Sequence, residues 1–186
     1  MFFLTTFLAN ISTVLKKRNG VRLHGFNFPP NPLQLFTYLI FFLDLISFYL
    51  INMTSLSFSV PLVVICSMIY FVLSATVVVL AVKATATDPS DPTIELHRIA
   101  QARGERFDSS KYEYFCCVCD TFVEDNSKHC GSCNRCVNKF DHHCKYLNNC
   151  VGDKNYKLFF RLIVSVFLLV LMHNLTNGFV IYKYLT

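Results

Sequence analysis

Hydrophobic and polar positions fall into long blocks along this chain rather than into one amphipathic period. Residues 33–51 are uncharged apart from Asp44, and at 1.5 Å per residue the run is long enough to cross a bilayer core. An uncharged link, residues 52–57, leads to a second apolar run at 58–82. That run is rich in Val and Ile and carries Pro61 in its first turn, where a missing N–H does no harm. A third run occupies 158–182, and a polar, cysteine-dense block at 83–157 separates the second from the third. Ahead of the first span, FNFPPNP at 26–32 is a Pro- and Asn-rich stop. The first fifteen residues, MFFLTTFLANISTVL, are apolar but short, and the charges of KKRNG follow them, the reverse of a signal peptide. They read as an amphipathic segment on the membrane surface, and Phe2 excludes N-myristoylation. This reading finds no internal repeat.

The pattern predicts an α-helical polytopic membrane protein with three spans and a cytosolic, loop-rich two-zinc cysteine-rich domain. Its parts are a cytosolic N-terminal segment at 1–32, spans at 33–51, 58–82 and 158–182, and the cysteine-rich domain at 83–157. Composition agrees, with 53% hydrophobic and only 16% charged residues. The net charge of +5 says little, but its placement is informative. Of 17 Lys and Arg, all but Lys183 either precede the first span or lie between Lys83 and Arg161. The positive-inside rule therefore puts the N-terminal segment and the polar block on the cytosolic side. An ionised Asp44 at a span centre would cost about 2.5–3.5 kcal/mol on the insertion scale, so it should be neutral or face other helices. His173, Asn174 and Asn177 read as interhelical hydrogen-bonding groups.

Candidate chemistry is concentrated in residues 116–152. Of nine cysteines, all but Cys66 lie between Cys116 and Cys150, interleaved with His129, His142 and His143. Repeated Cys-x-x-Cys spacing among histidines favours metal ligation over disulfides, and reduced thiols fit a cytosolic face. His129 and Cys130 are neighbours and should point apart. One tetrahedral site is then Cys116, Cys119, His129 and Cys136, and the other is Cys130, Cys133, His143 and Cys150. Spacing alone does not make this partition unique. It leaves Cys117, His142 and Cys144 over, and on spacing alone Cys144 could equally be one more zinc ligand. As a free thiol it has a base beside it in His142 and a carboxylate, Asp141, to orient that base, the logic of a nucleophile, base and orienter.

At these residues the chain resembles the DHHC family of protein S-acyltransferases. The match includes Cys116, Cys119, His129-Cys130, Cys133, Cys136 and the tetrad Asp141-His142-His143-Cys144. It continues through Asn148-Asn149-Cys150, Gly152, Asn155 and Phe159, and DPSDP at 88–92 resembles the family's Asp-Pro-Gly element. The resemblance implies that Cys144 takes a long-chain acyl group, typically palmitoyl, from acyl-CoA and passes it to cysteines of membrane-associated proteins. It implies catalytic roles for Cys144, His142 and Asp141, two structural Zn2+ ions, and a helix bundle in membrane lipid that accepts the acyl tail. Lys154, Lys157 and Arg161 are candidate contacts for CoA phosphates, with interfacial anchoring the plainer role for each. The resemblance implies an endoplasmic reticulum, Golgi or plasma membrane location.

Departures are Lys145-Tyr146 where most members have Pro-Trp, Ser90 in place of Gly, and three spans where the family has at least four. The fourth family span is therefore read as absent, and the alternative function is a truncated or non-catalytic zinc-containing membrane adaptor. A nucleic-acid-binding finger is disfavoured because Glu113, Asp120, Glu124 and Asp125 interrupt any basic face. A metal transporter would need more in-span ligands than Asp44 and His173.

Overall fold

The computed structural model describes residues 20–186, so the surface segment expected at the extreme N-terminus lies outside the described residues. Among the described residues, three helices are long and apolar enough to cross a membrane: α1 (Pro32–Ser55), α2 (Val60–Ala86) and α4 (Tyr156–Leu185). Their outer faces expose large apolar side chains such as Phe42, Phe71 and Phe167, as lipid-facing surfaces require.

Local sequence explains the helix ends. Asn31 caps α1, its side chain accepting from Leu33 N at 3.0 Å, with Pro32 in the first turn. The link expected at 52–57 is largely helical. A π turn, Phe48–Asn52, carries α1 on to Ser55 and turns both Phe48 and Asn52 inward. Helix α2 runs past residue 82 to Ala86 and stops where Thr87 turns extended, two residues before Pro89. The third apolar helix starts earlier and ends later than 158–182, because the flanking Tyr156, Lys157 and Lys183 are compatible with helix.

The bundle closes on a polar node. Asp44 of α1 hydrogen-bonds His173 Nδ1 of α4 at 2.6 Å and accepts from the Tyr70 hydroxyl of α2. Phe48 stacks on Tyr70 at 3.5 Å between ring centroids, and His173 meets both rings edge-on. Asp44 therefore has a partner on each neighbouring helix. Asn174, by contrast, donates to Val170 O of its own helix at 2.7 Å, so it is no interhelical link.

The polar block holds helix α3 (Pro92–Arg103), capped by Asp91 and ended by Gly104 in the left-handed region. Three antiparallel hairpins follow: β1 (Tyr114–Cys116) with β2 (Thr121–Val123), β3 (Lys128–Cys130) with β4 (Arg135–Val137), and β5 (His142–Cys144) with β6 (Asn149–Val151). The sequence reading of no internal repeat is wrong. Each hairpin has the same register across a four-residue turn, and each turn ends on a residue of positive φ: Asp120 at 53°, Asn134 at 53° and Asn148 at 51°. These residues are 14 positions apart, as are Val123, Val137 and Val151, all buried. Asp and Asn tolerate the left-handed region better than most residues, which is why they close the turns.

The Asp44 node predicts that His173→Ala will lower detergent-state stability by at least roughly 0.6–1.7 kcal/mol, the range for interhelical hydrogen bonds. Thermal unfolding followed by a helix signal measures it, and an unchanged transition would show that the bundle does not depend on the node.

Candidate active site

Each hairpin strand serves two faces. In β3, His129 points to one side and Cys130 to the other, because successive strand residues alternate. His129 pairs across the hairpin with Cys136, and this face meets Cys116 and Cys119 at the tip of the preceding hairpin. Cys130 and Cys133, at the tip of the second hairpin, meet the His143–Cys150 pair on the third. The structure thus brings together the two ligand quartets of the sequence reading, and both sets of donor atoms lie within 4.8 Å of one another.

The donor spacing fits zinc. A tetrahedral ion with Zn–S of about 2.3 Å and Zn–N of about 2.0–2.1 Å places its ligand atoms about 3.5–3.8 Å apart. His129 Nδ1 lies 3.7, 3.3 and 3.9 Å from the sulfurs of Cys116, Cys119 and Cys136. His143 Nδ1 lies 3.8, 3.3 and 3.8 Å from Cys130, Cys133 and Cys150. Crowded thiols also compete for protons. The Cys136 thiol beside it holds Cys119 down to about 5, while Cys119 pushes Cys136 up. Cys133 and Cys150 hold Cys130 well below the thiol range, and Cys130 with Cys133 raises His143 to about 9. A dication among deprotonated ligands removes that conflict. Cys117 is exposed, outside both quartets.

Strand β5 uses its two faces differently. His143 turns to the second quartet, so His142 and Cys144, two residues apart, share the opposite face. Asp141 Oδ2 lies 3.3 Å from His142 Nδ1, and the imidazole packs edge-on against Phe159 in the first turn of α4, ring centroids 5.3 Å apart. Cys144 is only 6% exposed. It belongs to the apolar cluster of the helix bundle, with Leu147, Val151 and Leu162, whereas Cys130, Cys133 and Cys150 form a separate cluster around Val137.

Buried polar side chains that the sequence reading gave no structural role fix this hairpin to the membrane helices. Asn149 Nδ2 donates to Ala84 O, Thr85 O and Thr87 O at 3.2, 3.2 and 2.8 Å, satisfying carbonyls left over at the end of α2. Asn149 Oδ1 accepts from the buried Arg135 at 2.8 Å, and Arg135 also binds Leu23 O, Ser90 Oγ and the carboxylate of Asp88. Asn155 ties Cys150 O to Gly152 N. Asn148 holds Gly25 O and Pro29 O of the N-terminal strap at 3.2 and 3.3 Å. The strap passes so close that a Cβ on Gly25 would lie 1.9 Å from Leu147 O. Adjacent asparagines beside a cysteine-histidine tetrad were the available sequence signal.

The candidate CoA contacts are not gathered at one place. Lys157 lines a groove of about 690 Å³ with Lys128, Lys139 and Asp141. Lys154 borders another, of about 390 Å³, beside Asp88 and Arg135. Arg161 is exposed one turn into α4.

Comparison with known proteins agrees with the site. Residues 109–186 match the family model described as DHHC palmitoyltransferase. Two human proteins, Probable palmitoyltransferase ZDHHC11B and Palmitoyltransferase ZDHHC11, are each 40% identical to the chain over 87 residues, 44% of its length. That stretch is 24% of the first relative and 21% of the second, so the match spans about a quarter of either protein.

Because zinc-binding free energy is folding free energy in such small domains, stripping the metal should unfold the hairpins while the apolar helices persist. Hydrogen exchange after treatment with a strong chelator should show amide protection lost across β1–β6 and retained in α2 and α4. Retained hairpin protection in metal-free chain would overturn the structural role of the two quartets.

Proposed function

The chain carries a DHHC palmitoyltransferase domain at residues 109–186, and from that premise we propose that it is a protein S-acyltransferase whose nucleophile is Cys144. The observation that carries this is the separation of Cys144 from both ligand quartets and its burial against the helix bundle, beside His142 and Asp141. A zinc ligand would be spent on its metal; a thiol facing the bundle meets an acyl chain.

In the proposed first step His142 takes the thiol proton and the Cys144 sulfur attacks the thioester carbonyl of a long-chain acyl-CoA. The new C–S bond forms, the bond to the CoA sulfur breaks, and the proton passes from His142 to the departing CoA thiolate. Asp141 holds the imidazole in one tautomer and offsets its transient charge. In the second step a cysteine thiol of a membrane-associated protein gives its proton to His142 as its sulfur attacks the Cys144 thioester; the bond to the Cys144 sulfur breaks, and His142 returns the proton to it. One thioester replaces another each time, so neither step needs an external energy source. The acyl tail, typically palmitoyl, lies along the bundle in lipid. Lys157, in the groove that also holds Asp141, supplies positive charge for CoA phosphates, with Lys154 and Arg161 as separate candidates outside it. The two Zn2+ ions are structural. The distribution of Lys and Arg supports a cytosolic face for this domain, in an endoplasmic reticulum, Golgi or plasma membrane.

The test is acylation of the purified, detergent-solubilised chain with a labelled palmitoyl-CoA analogue. Hydroxylamine-sensitive label is expected on wild type and absent from Cys144→Ser, and His142→Ala should slow labelling by about 10²–10⁴-fold, the usual worth of a general base. A folded wild-type chain holding both metals but taking no label would favour a non-catalytic zinc-containing membrane adaptor instead.

A further inference from the structure

The N-terminal strap carries a loop, residues 26–30, that no step of the proposed reaction uses. Its sequence is Phe-Asn-Phe-Pro-Pro, and it ends just before Asn31 caps α1. Both Phe rings face outward. Phe26 is 51% exposed and Phe28 89%, the most exposed large apolar side chain among the described residues. An open ring on a slack loop would mean little, but this loop is braced. Arg22 donates guanidinium N–H groups to Asn27 O and Pro29 O, and Asn27 Oδ1 accepts from Leu23 N and His24 N at 2.9 Å each. Asn27 N donates to His24 O at 3.2 Å, and Asn148 Nδ2 reaches Pro29 O at 3.3 Å.

The bracing hides polar atoms and displays apolar ones. Asn27 N, Asn27 O and Pro29 O all have partners inside the chain, and Pro29 and Pro30 have no N–H to satisfy. Water would serve such groups at no cost, whereas backbone that meets a bilayer must bring its polar groups already paired. The level of the loop in the fold agrees. Gly25 N donates to Thr85 O in the last turn of α2 at 2.7 Å, and Gln34 Nε2 in the first turn of α1 donates to Gly25 O at 3.3 Å. The loop therefore projects from the chain beside the ends of two helices that can span a membrane. Tyr146, in the turn of the third hairpin, and Tyr156, at the start of α4, are also exposed. Aromatic rings gather in this way where hydrocarbon meets lipid headgroups.

We propose that Phe26 and Phe28 insert into the leaflet facing the hairpins, and that the partner of this surface is lipid. The loop is a peg rather than part of a span: Asn31 divides it from α1, and its rings reach about 5–10 Å into the headgroup and acyl boundary, the depth of interfacial apolar side chains. Asn148 holds Gly25 O and Pro29 O, and Gln34 holds Leu147 O, so the peg is tied to the turn that follows Cys144. Lipid contact thus sets the height of that turn against the bilayer. The inference goes beyond acyl transfer and its test reads depth alone, so it stands or fails whether or not Cys144 is the nucleophile.

The chain has no Trp, so one substitution supplies a unique fluorophore. The full, zinc-loaded chain carrying Phe28→Trp is placed in phosphatidylcholine nanodiscs, one chain per disc. Its emission should be blue-shifted from that of N-acetyltryptophanamide in buffer. Phosphatidylcholine brominated near the top of its acyl chains should quench it about twofold or more, and lipid brominated near the chain ends should quench it less. Iodide in the water phase should reach it about fivefold less well than it reaches N-acetyltryptophanamide. Phe167→Trp, on the outer face of α4 and 65% exposed, is the reference for a ring in lipid. If Phe28→Trp does not fold, Phe26→Trp carries the same expectation. A folded Phe28→Trp or Phe26→Trp chain that iodide quenches freely and brominated lipid does not, in discs where Phe167→Trp is quenched by lipid, would overturn the proposal. Shielding from iodide without lipid quenching would mean that protein covers the loop, and would overturn it equally.

Discussion

A hairpin of two three-residue strands buries too little apolar surface to hold itself together, and three such hairpins in sequence bury little more. A zinc ion in each quartet would fix them through ligands shared between neighbours. The tip of one hairpin supplies two thiolates, and the face of the next supplies a thiolate and an imidazole. Each quartet thus spans two successive repeats rather than lying within one. This follows from strand alternation, because a strand carrying His and Cys side by side must send them to opposite sides. The interleaving of the two quartets in sequence is the linear image of that geometry.

The same linkage carries rigidity to the membrane. The hairpin repeats end on a unit whose second strand opens with Asn149, and Asn149 donates to three carbonyls at the end of α2. Its other side chain atom takes a hydrogen bond from Arg135, which belongs to the middle repeat. Arg135 is 2% exposed, so its charge must be met locally, and Asp88 meets it with help from Leu23 O and Ser90. Asp91, one turn on, caps α3 and accepts from Glu124 N and the Ser127 hydroxyl. The DPSDP segment therefore fastens α2, α3 and two hairpins at once, and the ligand-bearing hairpins are joined to helix ends through buried, satisfied hydrogen bonds.

Much of this was legible in the sequence because it rests on residue type and short spacing. Uncharged runs identified the helices, and the rule that neighbouring side chains diverge led to the two quartets. Helix ends were less legible, since Lys83 and Tyr156 are compatible with either helix or interface, and the buried carbonyl partners that decide the matter lie over 60 residues away. The repeat was hidden for a physical reason. Its conserved features are a turn conformation, a register and an inward Val, whereas the eye follows cysteines. Phe115, Phe122 and Leu147 replace ligands at the ends of the array and break the cysteine pattern while leaving the backbone unit intact. Lys154 and Lys157 are close in sequence yet border different grooves, because Asn155 between them is turned inward to tie Cys150 O and Gly152 N.

That Cys144 lies in the bundle's apolar cluster rather than the hairpins' own has a chemical consequence. In the proposed reaction a thioester carbonyl sits at the junction of a hydrocarbon chain and a polar, multiply charged carrier, and the reaction requires a site that straddles the same boundary. The third hairpin does so by construction. One face of β5 sends His143 into the second ligand quartet, and the other turns His142 and Cys144 towards the first turns of α4, where Phe159 packs on the imidazole. The basic side chains Lys154, Lys157 and Arg161 are exposed. At the same position in the two earlier repeats, Cys116 and Cys130 lie within the ligand quartets. The last position of a repeat array docked on helix ends is the one that offers both an unclaimed thiol and contact with hydrocarbon.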